Sequence, residues 1–186
     1  MNQPPALSTT EFDLVALAQQ GDRAAFGDLV YLHRQGVINV VYRMCGDVEL
    51  AEDAAQEAFI RAWKNLHRYQ PHSPFRNWVY RIATNAALDV LRRQREVVNI
   101  ENLPLKSQRP NPETAAETEE RAAFIQQAVL DLPEASRAVI ILREYEGFSY
   151  REIAETLDIP IGTVMSRLNY ARKQLRQTLA SLMEVT

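Results

Sequence analysis

Basic side chains stand unopposed in the segment that follows Asp158. No acidic residue occurs between Asp158 and Glu184. The segment between them carries four cations: Arg167, Arg172, Lys173 and Arg176. A second window without acids lies between Glu57 and Asp89, and it contains five cations: Arg61, Lys64, Arg68, Arg76 and Arg81. Such runs are usually solvated surface, but two of them in a chain of formal net charge -3 indicate an anionic partner.

The residues around the second-half cations predict a helix-turn-helix. Ser149 and Glu152 have the spacing of a capping box that opens a short helix. A tight turn follows at Asp158, and Pro160 suits the first turn of a second helix. Apolar residues at helical spacing give that second helix a buried stripe: Val164, Leu168, Ala171, Leu175 and Leu179.

The opposite face of the second helix combines polar and basic side chains at spacings of three or four: Thr163, Ser166, Arg167, Tyr170 and Lys173. A helix fits the major groove of DNA, and its N-terminal residues reach the base edges. Arg151, Arg172, Lys173 and Arg176 are placed to hold phosphates instead. The alternative is an ordinary helical hairpin with a basic solvent face.

In the upstream window, aromatic residues are interleaved with the cations: Trp63, Tyr69, Phe75, Trp78 and Tyr80. Aromatic rings stack on unpaired bases while nearby cations hold the strand. Asn77 and Asn85 could read the edge of an exposed base, and the loop "HRYQPHSP" could form a pocket for one. Helical spacing alone favours a core role for most of these aromatics, so both interpretations stay open.

The overall pattern predicts an all-α protein. We expect a helix before Gly21, a second capped by Asp22, a third from about Gln35 to Met44, and a long one after Asp47. Residues 1–96 and 121–186 form two small helical domains. The acidic, proline-containing segment 97–120 predicts an extended linker between them.

Several classes of function are disfavoured. There is no nucleophile, metal-ligand or phosphate-loop constellation, so we expect no catalytic residues, no metal and no cofactor. Cys45 has no internal disulfide partner and no ligand spacing with His33, His67 or His72. We see neither a secretory signal nor a membrane span, and a cytoplasmic location fits.

Both halves resemble the extracytoplasmic-function class of bacterial sigma-70 factors. The resemblance rests on "DAAQEAFIRAWKNLHRY" with "FRNWVYRIATNAALDVLRR", and on "LPEASRAVIILREYEGFSYREIAETLDIPIGTVMSRLNYAR". It implies a protein that is not an enzyme, that binds core RNA polymerase and directs it to promoters. It also implies a cytoplasmic protein, monomeric when free, that an anti-sigma factor commonly controls.

The resemblance assigns a role to each surface. Polymerase-clamp contacts fall on Asp53, Gln56, Glu57, Ile60 and Arg61. Melting of the -10 element and capture of a single-stranded base fall on Arg68, Tyr69, Phe75, Asn77, Trp78, Arg81 and Asn85. Reading of the double-stranded -35 element falls on Arg151, Thr163, Ser166, Arg167, Tyr170, Arg172 and Lys173. The linker matches one that threads through the polymerase cleft.

Two other interpretations remain at this stage. A stand-alone repressor or activator would use only the helix-turn-helix and would bind paired half-sites as a dimer. A helical adaptor would bind protein partners alone, and the acidic residues Glu49, Glu52, Asp53 and Glu57 would then face a basic surface. The helix dipole also favours acids at that helix N-terminus without any partner.

Overall fold

The computed structural model describes residues 10–101 and 116–183, with side chains for 10–94 and 120–180. Eight α-helices account for most of these residues: α1 (Glu11–Gln19), α2 (Arg23–Cys45), α3 (Val48–Asn65), α4 (Phe75–Glu101), α5 (Ala116–Leu130), α6 (Glu134–Ile140), α7 (Tyr150–Leu157) and α8 (Ile161–Met183). A 3₁₀ turn follows α3 at Leu66–Arg68, and a π turn follows α6 at Ile141–Tyr145. No strand occurs in the two described ranges, and the all-α prediction is confirmed.

Local signals set most helix ends. Asp22 caps α2 by accepting from the backbone N–H groups of Ala24 and Ala25. Asp47 caps α3 in the same way, as predicted. Gly46 ends α2 in the left-handed conformation (φ 78°), which glycine adopts without a Cβ clash.

The predicted break near Gln35 is wrong, because α2 runs unbroken to Cys45. Gly36 sits inside the helix despite its poor helix propensity. A Cβ on Gly36 would lie 1.8 Å from the hydroxyl oxygen of Tyr80, which belongs to α4. The glycine therefore leaves room for a buried tyrosine, and tertiary packing outweighs the local preference.

In the N-terminal half, α2, α3 and α4 pack against one another, and α1 packs across α2. The face of α3 that meets them is built from small residues, all at most 4% exposed: Ala51, Ala54, Ala55, Ala58 and Ala62. Alanine lets helix axes approach closely, and larger residues such as Leu29 and Val37 of α2 fill the space between them.

In the C-terminal half, α8 packs on α5, α6 and α7. Ile153 of α7 and the predicted stripe residues Val164, Leu168 and Ala171 of α8 have no exposed surface. The helix predicted from Pro133 to Gly147 is α-helical only to Ile140, and its last turn is the π turn.

The two halves dock on each other through one continuous hydrophobic core. Arg137 of α6 is 8% exposed, and its guanidinium donates to the carbonyl oxygen of Met44, 2.5 Å away at the end of α2. It also donates to the carbonyls of Leu130 and Leu132, the latter at 3.0 Å. One buried cation thus satisfies carbonyls at the ends of two helices from different halves.

The boundaries of the connecting segment differ from the prediction. Helix α4 extends to Glu101, beyond the expected boundary at residue 96, and α5 begins at Ala116, before residue 121. Residues 102–115 lie outside the described residues, so the extended linker stays a prediction. In the ranges that are described, no helix is both long and apolar enough to cross a bilayer.

The two glycines inside α2 should respond oppositely to alanine. No atom lies within 4 Å of a Cβ on Gly27, so Gly27→Ala should raise the free energy of unfolding by about 0.5–1 kcal/mol through helix propensity. Gly36→Ala should lower it by about 1–3 kcal/mol, because the methyl group overlaps the buried Tyr80. Urea denaturation of both variants provides the measurement. Equal stabilisation by the two substitutions would show that Tyr80 moves aside without cost.

Candidate nucleic-acid and protein interfaces

Helix α7 is fixed by a reciprocal capping box. The Ser149 hydroxyl accepts from the backbone N–H of Glu152 at 3.2 Å, and the Glu152 carboxylate accepts from the backbone N–H of Ser149 at 2.8 Å. The hydrogen bond from the Ser149 backbone N–H to the carboxylate, followed by the effect of the Ser149 side chain, lowers the pKa of Glu152 below its usual value. Asp158 ends the helix in the left-handed conformation (φ 54°), which turns the chain into α8.

The predicted reading face of α8 is open to solvent. Ser166, Tyr170 and Lys173 are exposed, and Thr163 and Arg167 are half-buried. Among the described side chains, neither Arg167 nor Lys173 has an ion pair. Their positive charges are therefore available to a ligand.

Two predicted phosphate contacts are instead held within the protein. Arg151 pairs with Glu155 one turn along α7, at 3.0 Å. Arg172 pairs with Glu144 at 2.7 Å and donates to the Tyr150 hydroxyl at 3.4 Å, which raises the pKa of Arg172. A phosphate would have to displace or share these partners.

Aromatic residues at and just before the start of α4 form a cluster beside a recess. The ring centroids of Tyr69, Phe75 and Trp78 lie 5.3–5.7 Å apart. Tyr69 and Phe75 are buried and Trp78 is half-buried, while the Tyr69 hydroxyl donates to the Ser73 carbonyl at 2.6 Å. The cluster contributes to core packing, and two of its members, Tyr69 and Phe75, also line a recess of about 350 Å³. Its lining comes from α1, the loop and the first residue of α4: Glu11, Phe12, Val15, Tyr69, Pro71, His72, Ser73, Pro74 and Phe75.

The remaining predicted -10 residues divide into two groups. Arg68 and Asn85 are exposed. Asn77 is only 4% exposed and its amide donates to Glu152 at 3.4 Å, while Arg81 pairs with Asp158 at 3.1 Å. Asn77 and Arg81 therefore face the C-terminal half of the protein.

The predicted polymerase residues border an apolar groove of about 640 Å³ between α2 and α3. Asp53, Gln56 and Ile60 line it, and Ile60 is 40% exposed. Glu57 and Arg61 lie outside its lining, paired with each other at 2.8 Å, and Arg61 also contacts Asp89. The hydrogen bond from Arg61 lowers the pKa of Glu57.

Sequence reasoning missed the α2 side of this groove, formed by Phe26, Val30 and Ile38 with Arg23 and Arg34. It also grouped Trp63 with the base-stacking aromatics. Trp63 instead lines the groove, with its ring centroid 4.9 Å from that of Phe26. Helical spacing could have identified the apolar face of α2, but not the helix it meets.

Metal binding and thiol chemistry find no support in the described part of the chain. No group of three or more potential ligands among histidine, cysteine and acidic residues converges there. Burial raises the pKa of Cys45 to about 11, so its thiol is protonated and a poor nucleophile at neutral pH.

Comparison with known proteins identifies the family. Residues 29–97 match sigma-70 region 2, and residues 125–175 match sigma-70 region 4. The chain is 39% identical over 175 residues to the ECF RNA polymerase sigma factor SigW of Bacillus subtilis strain 168, which covers 88% of this chain and 94% of the relative. It is 37% identical over 179 residues to the ECF RNA polymerase sigma-E factor of Escherichia coli strain K12, covering 89% and 92%. The chain belongs to the extracytoplasmic-function class of sigma-70 factors.

Solved structures share the fold of this sigma factor. CnrH, in complex with the cytosolic domain of CnrY, superimposes with a TM-score of 0.70 at 27% identity, covering 90% of this chain and 96% of that one. The sigma factor RpoE, in a co-crystal structure with the anti-sigma factor NepR from Bartonella quintana, has a TM-score of 0.71 at 24% identity, covering 83% and 96%. The fold that this chain shares with these two sigma factors is all-α, as the sequence predicts.

The family regions map onto the helices of the sigma factor. Region 2 begins within α2, spans all of α3 and ends within α4, so it contains most of the lining of the groove and of the recess. Region 4 begins within α5 and ends within α8, so it contains the helix-turn-helix and its open face.

Acid should remove the benefit of the capping box in region 4. Because the folded-state pKa of Glu152 is lowered, its contribution is present above the unfolded pKa and is lost as the pH falls through the folded value. Glu152→Ala should cost about 0.5–1 kcal/mol at pH 7, and the difference from the wild-type protein should shrink as the solution becomes acidic. Urea unfolding across a pH series measures this. Glu155→Ala, outside the capping box, is the control; a Glu152→Ala deficit that is the same at all pH values would contradict the assignment.

Proposed function

We propose that this sigma factor binds core RNA polymerase and directs it to promoters by reading a -35 element with α8 and opening a -10 element with α4. The observation that carries the proposal is the open face of α8, where Arg167 and Lys173 have no ion pair among the described residues. A positioned helix with free basic and polar side chains at its N-terminal half is what major-groove reading requires.

The -35 contacts differ in kind along α8. Thr163, Ser166 and Arg167 lie in the first two turns and would meet base edges, where arginine can hold guanine through two hydrogen bonds. Tyr170 is 45% exposed beside them. Lys173 lies a turn further on and would hold a phosphate, and Arg151 and Arg172 would join it by exchanging their internal carboxylate partners.

The -10 element would be bound around the recess. An extruded base would lie between the loop and α1, where the rings of Tyr69 and Phe75 form an aromatic wall and Trp78 packs behind them. Arg68 and Asn85 are exposed on either side of the cluster in sequence and would contact the separated strand. Asn77 and Arg81 would join them once the C-terminal half moves away from α4.

The groove between α2 and α3 would take a helix of the polymerase clamp. Ile60, Phe59 and Trp63 offer an apolar floor, and Asp53 and Gln56 supply polar contacts beside it. Apolar anchors in a groove with a polar rim are typical of helix-in-groove recognition. Glu57 and Arg61 would extend this contact along α3.

Control by an anti-sigma factor follows from the same surfaces, since any protein that covers α3 or α8 blocks the polymerase or the promoter. The related RpoE is bound by the anti-sigma factor NepR. The role of a sigma factor fits a cytoplasmic protein that performs no catalysis and needs no cofactor. In this proposal the segment 97–120 passes through the polymerase between the two promoter contacts.

Transcription with purified core polymerase tests the function. The sigma factor should initiate transcripts from a pool of genomic fragments, and mapping their 5′ ends should reveal two shared elements upstream. A stand-alone repressor would bind paired half-sites without polymerase. Silence across the whole pool would reject the proposal.

Two substitutions on α8 should separate base reading from phosphate contact. On a promoter found in this way, Arg167→Ala should cost about 1–3 kcal/mol and relax the preference at one base pair. Lys173→Ala should weaken all sequences about equally and reduce the slope of log affinity against log salt by about 1. Fluorescence anisotropy of the holoenzyme on promoter variants measures both. The reverse pattern would reassign the two side chains.

A further inference from the structure

We propose that Ile161 and Met165, at the start of α8, read thymine in the -35 element by packing against its C5-methyl group. The inference rests on the proposed role of α8 in reading that element. It adds an apolar contact to the hydrogen bonds of the polar residues, and it names the two side chains that would select A·T pairs.

Both side chains are apolar and open to solvent. Ile161 is 51% exposed and Met165 is 49% exposed, whereas the stripe residues Val164 and Leu168 have no exposed surface. Within the described part of the chain, neither Ile161 nor Met165 belongs to the hydrophobic core or to the partly buried residues packed against it. The two residues therefore form a second apolar surface on α8, separate from the stripe that fixes the helix in its domain.

This apolar pair borders the open face of α8. Residues four apart lie on the same side of a helix, so Ile161 and Met165 are neighbours. Successive residues turn by about 100°, which puts Met165 and Arg167 on opposite sides of Ser166. The first two turns of α8 thus present an apolar edge, a hydroxyl group and a basic edge side by side.

The charges around the pair favour DNA as the partner. No acidic residue occurs between Asp158 and Glu184, and among the described side chains neither Arg167 nor Lys173 has an ion pair. A duplex that brings its phosphates to these cations also brings its base edges to the first two turns of the helix. The apolar pair would then enter the major groove together with the polar residues beside it.

Thymine is the base that offers an apolar group in that groove. An A·T pair presents the N6 amino donor of adenine, the O4 acceptor of thymine and the C5-methyl group, and a G·C pair presents no methyl group. Apolar side chains read thymine through this methyl group. Ile161 and Met165 have the chemistry and the position for that contact.

The hydroxyl of Ser166 adds a second preference for the same base pair. It donates to the carbonyl oxygen of Thr163 at 3.0 Å, so its oxygen remains free to accept a hydrogen bond. The donors in the major groove are adenine N6 and cytosine N4. An acceptor at Ser166 beside a methyl contact at Met165 matches an A·T pair better than a G·C pair.

The spacing of the apolar pair limits which thymines it can read. Four residues rise about 6 Å along a helix, and neighbouring base pairs are stacked about 3.4 Å apart. The thymines that contact Ile161 and Met165 should therefore lie no more than about two base-pair steps apart.

Deoxyuridine tests the methyl contact directly, because it differs from thymidine only in lacking the C5-methyl group. On a promoter found by mapping 5′ ends, each thymidine of the -35 element on either strand is replaced singly. Binding of the holoenzyme, formed with core polymerase, is measured by fluorescence anisotropy. At least one replacement should weaken binding about fourfold, which corresponds to the burial of one methyl-sized group. Replacements between the two promoter elements should have no effect.

Substitutions on α8 connect the lost methyl group to its reader. With Met165→Ala, thymidine and deoxyuridine should bind nearly equally at that position, and Ile161→Ala should have this effect at a second thymine nearby. The matched control is Arg167→Ala on the opposite edge, which should weaken binding but keep the fourfold ratio. The urea midpoint of Met165→Ala should equal that of the wild-type protein, because the side chain lies outside the core.

The outcomes separate this inference from the proposed function. Equal binding of thymidine and deoxyuridine throughout the -35 element of a working promoter, or an element without any A·T pair, would overturn the methyl contact and leave the sigma-factor role intact. A fourfold ratio that survives both alanine substitutions would assign the methyl contact to other residues. Weakening by Met165→Ala that is the same for both nucleosides would place Met165 against the polymerase instead. A holoenzyme that starts no transcript would reject the proposed function itself.

Discussion

The carbonyl groups at the end of α2 need donors, and the buried guanidinium of Arg137 supplies one from the other half of the protein. A cation at the C-terminal end of a helix is favoured by the helix dipole, and its burial forces the groups around it to be paired. Because Arg137 also binds carbonyls at the end of α5 and in the following turn, α2, α5 and α6 meet at a single point. This point joins the shared hydrophobic core and the contacts of α4 with the C-terminal half in docking the two halves.

That docking gives the two candidate DNA surfaces opposite characters. The α8 face carries free charge and is ready for a ligand, whereas Arg76, Asn77 and Arg81 on α4 are occupied by acids of the same chain. A surface whose charges are already paired binds a strand weakly until its partner leaves. In the docked arrangement the α8 face is therefore open to a ligand, whereas Arg76, Asn77 and Arg81 of α4 are in contact with the C-terminal half.

Small side chains make the groove beside α3 possible. The alanine-rich inner face of α3 packs against α2, while the larger residues Phe26 and Trp63 line the open side of the groove and are half-buried. Sequence analysis found only the α3 half of this site, because helical periodicity describes each helix separately and says nothing about its neighbour. The same limitation placed Trp63 with the wrong aromatic group.

The sequence by itself determined the all-α fold class, most of the helix caps and the helix-turn-helix. The capping signals at Asp22, Asp47, Ser149 and Glu152 act within one helical turn, so they can be read without the tertiary structure. It also located both cationic windows. Only the tertiary structure decided that α2 continues through Gly36, because the reason is the hydroxyl of Tyr80, 44 positions away in the chain. It alone decided which charges are free and which are paired across the two halves, since pairing between distant residues depends on packing and leaves no local pattern.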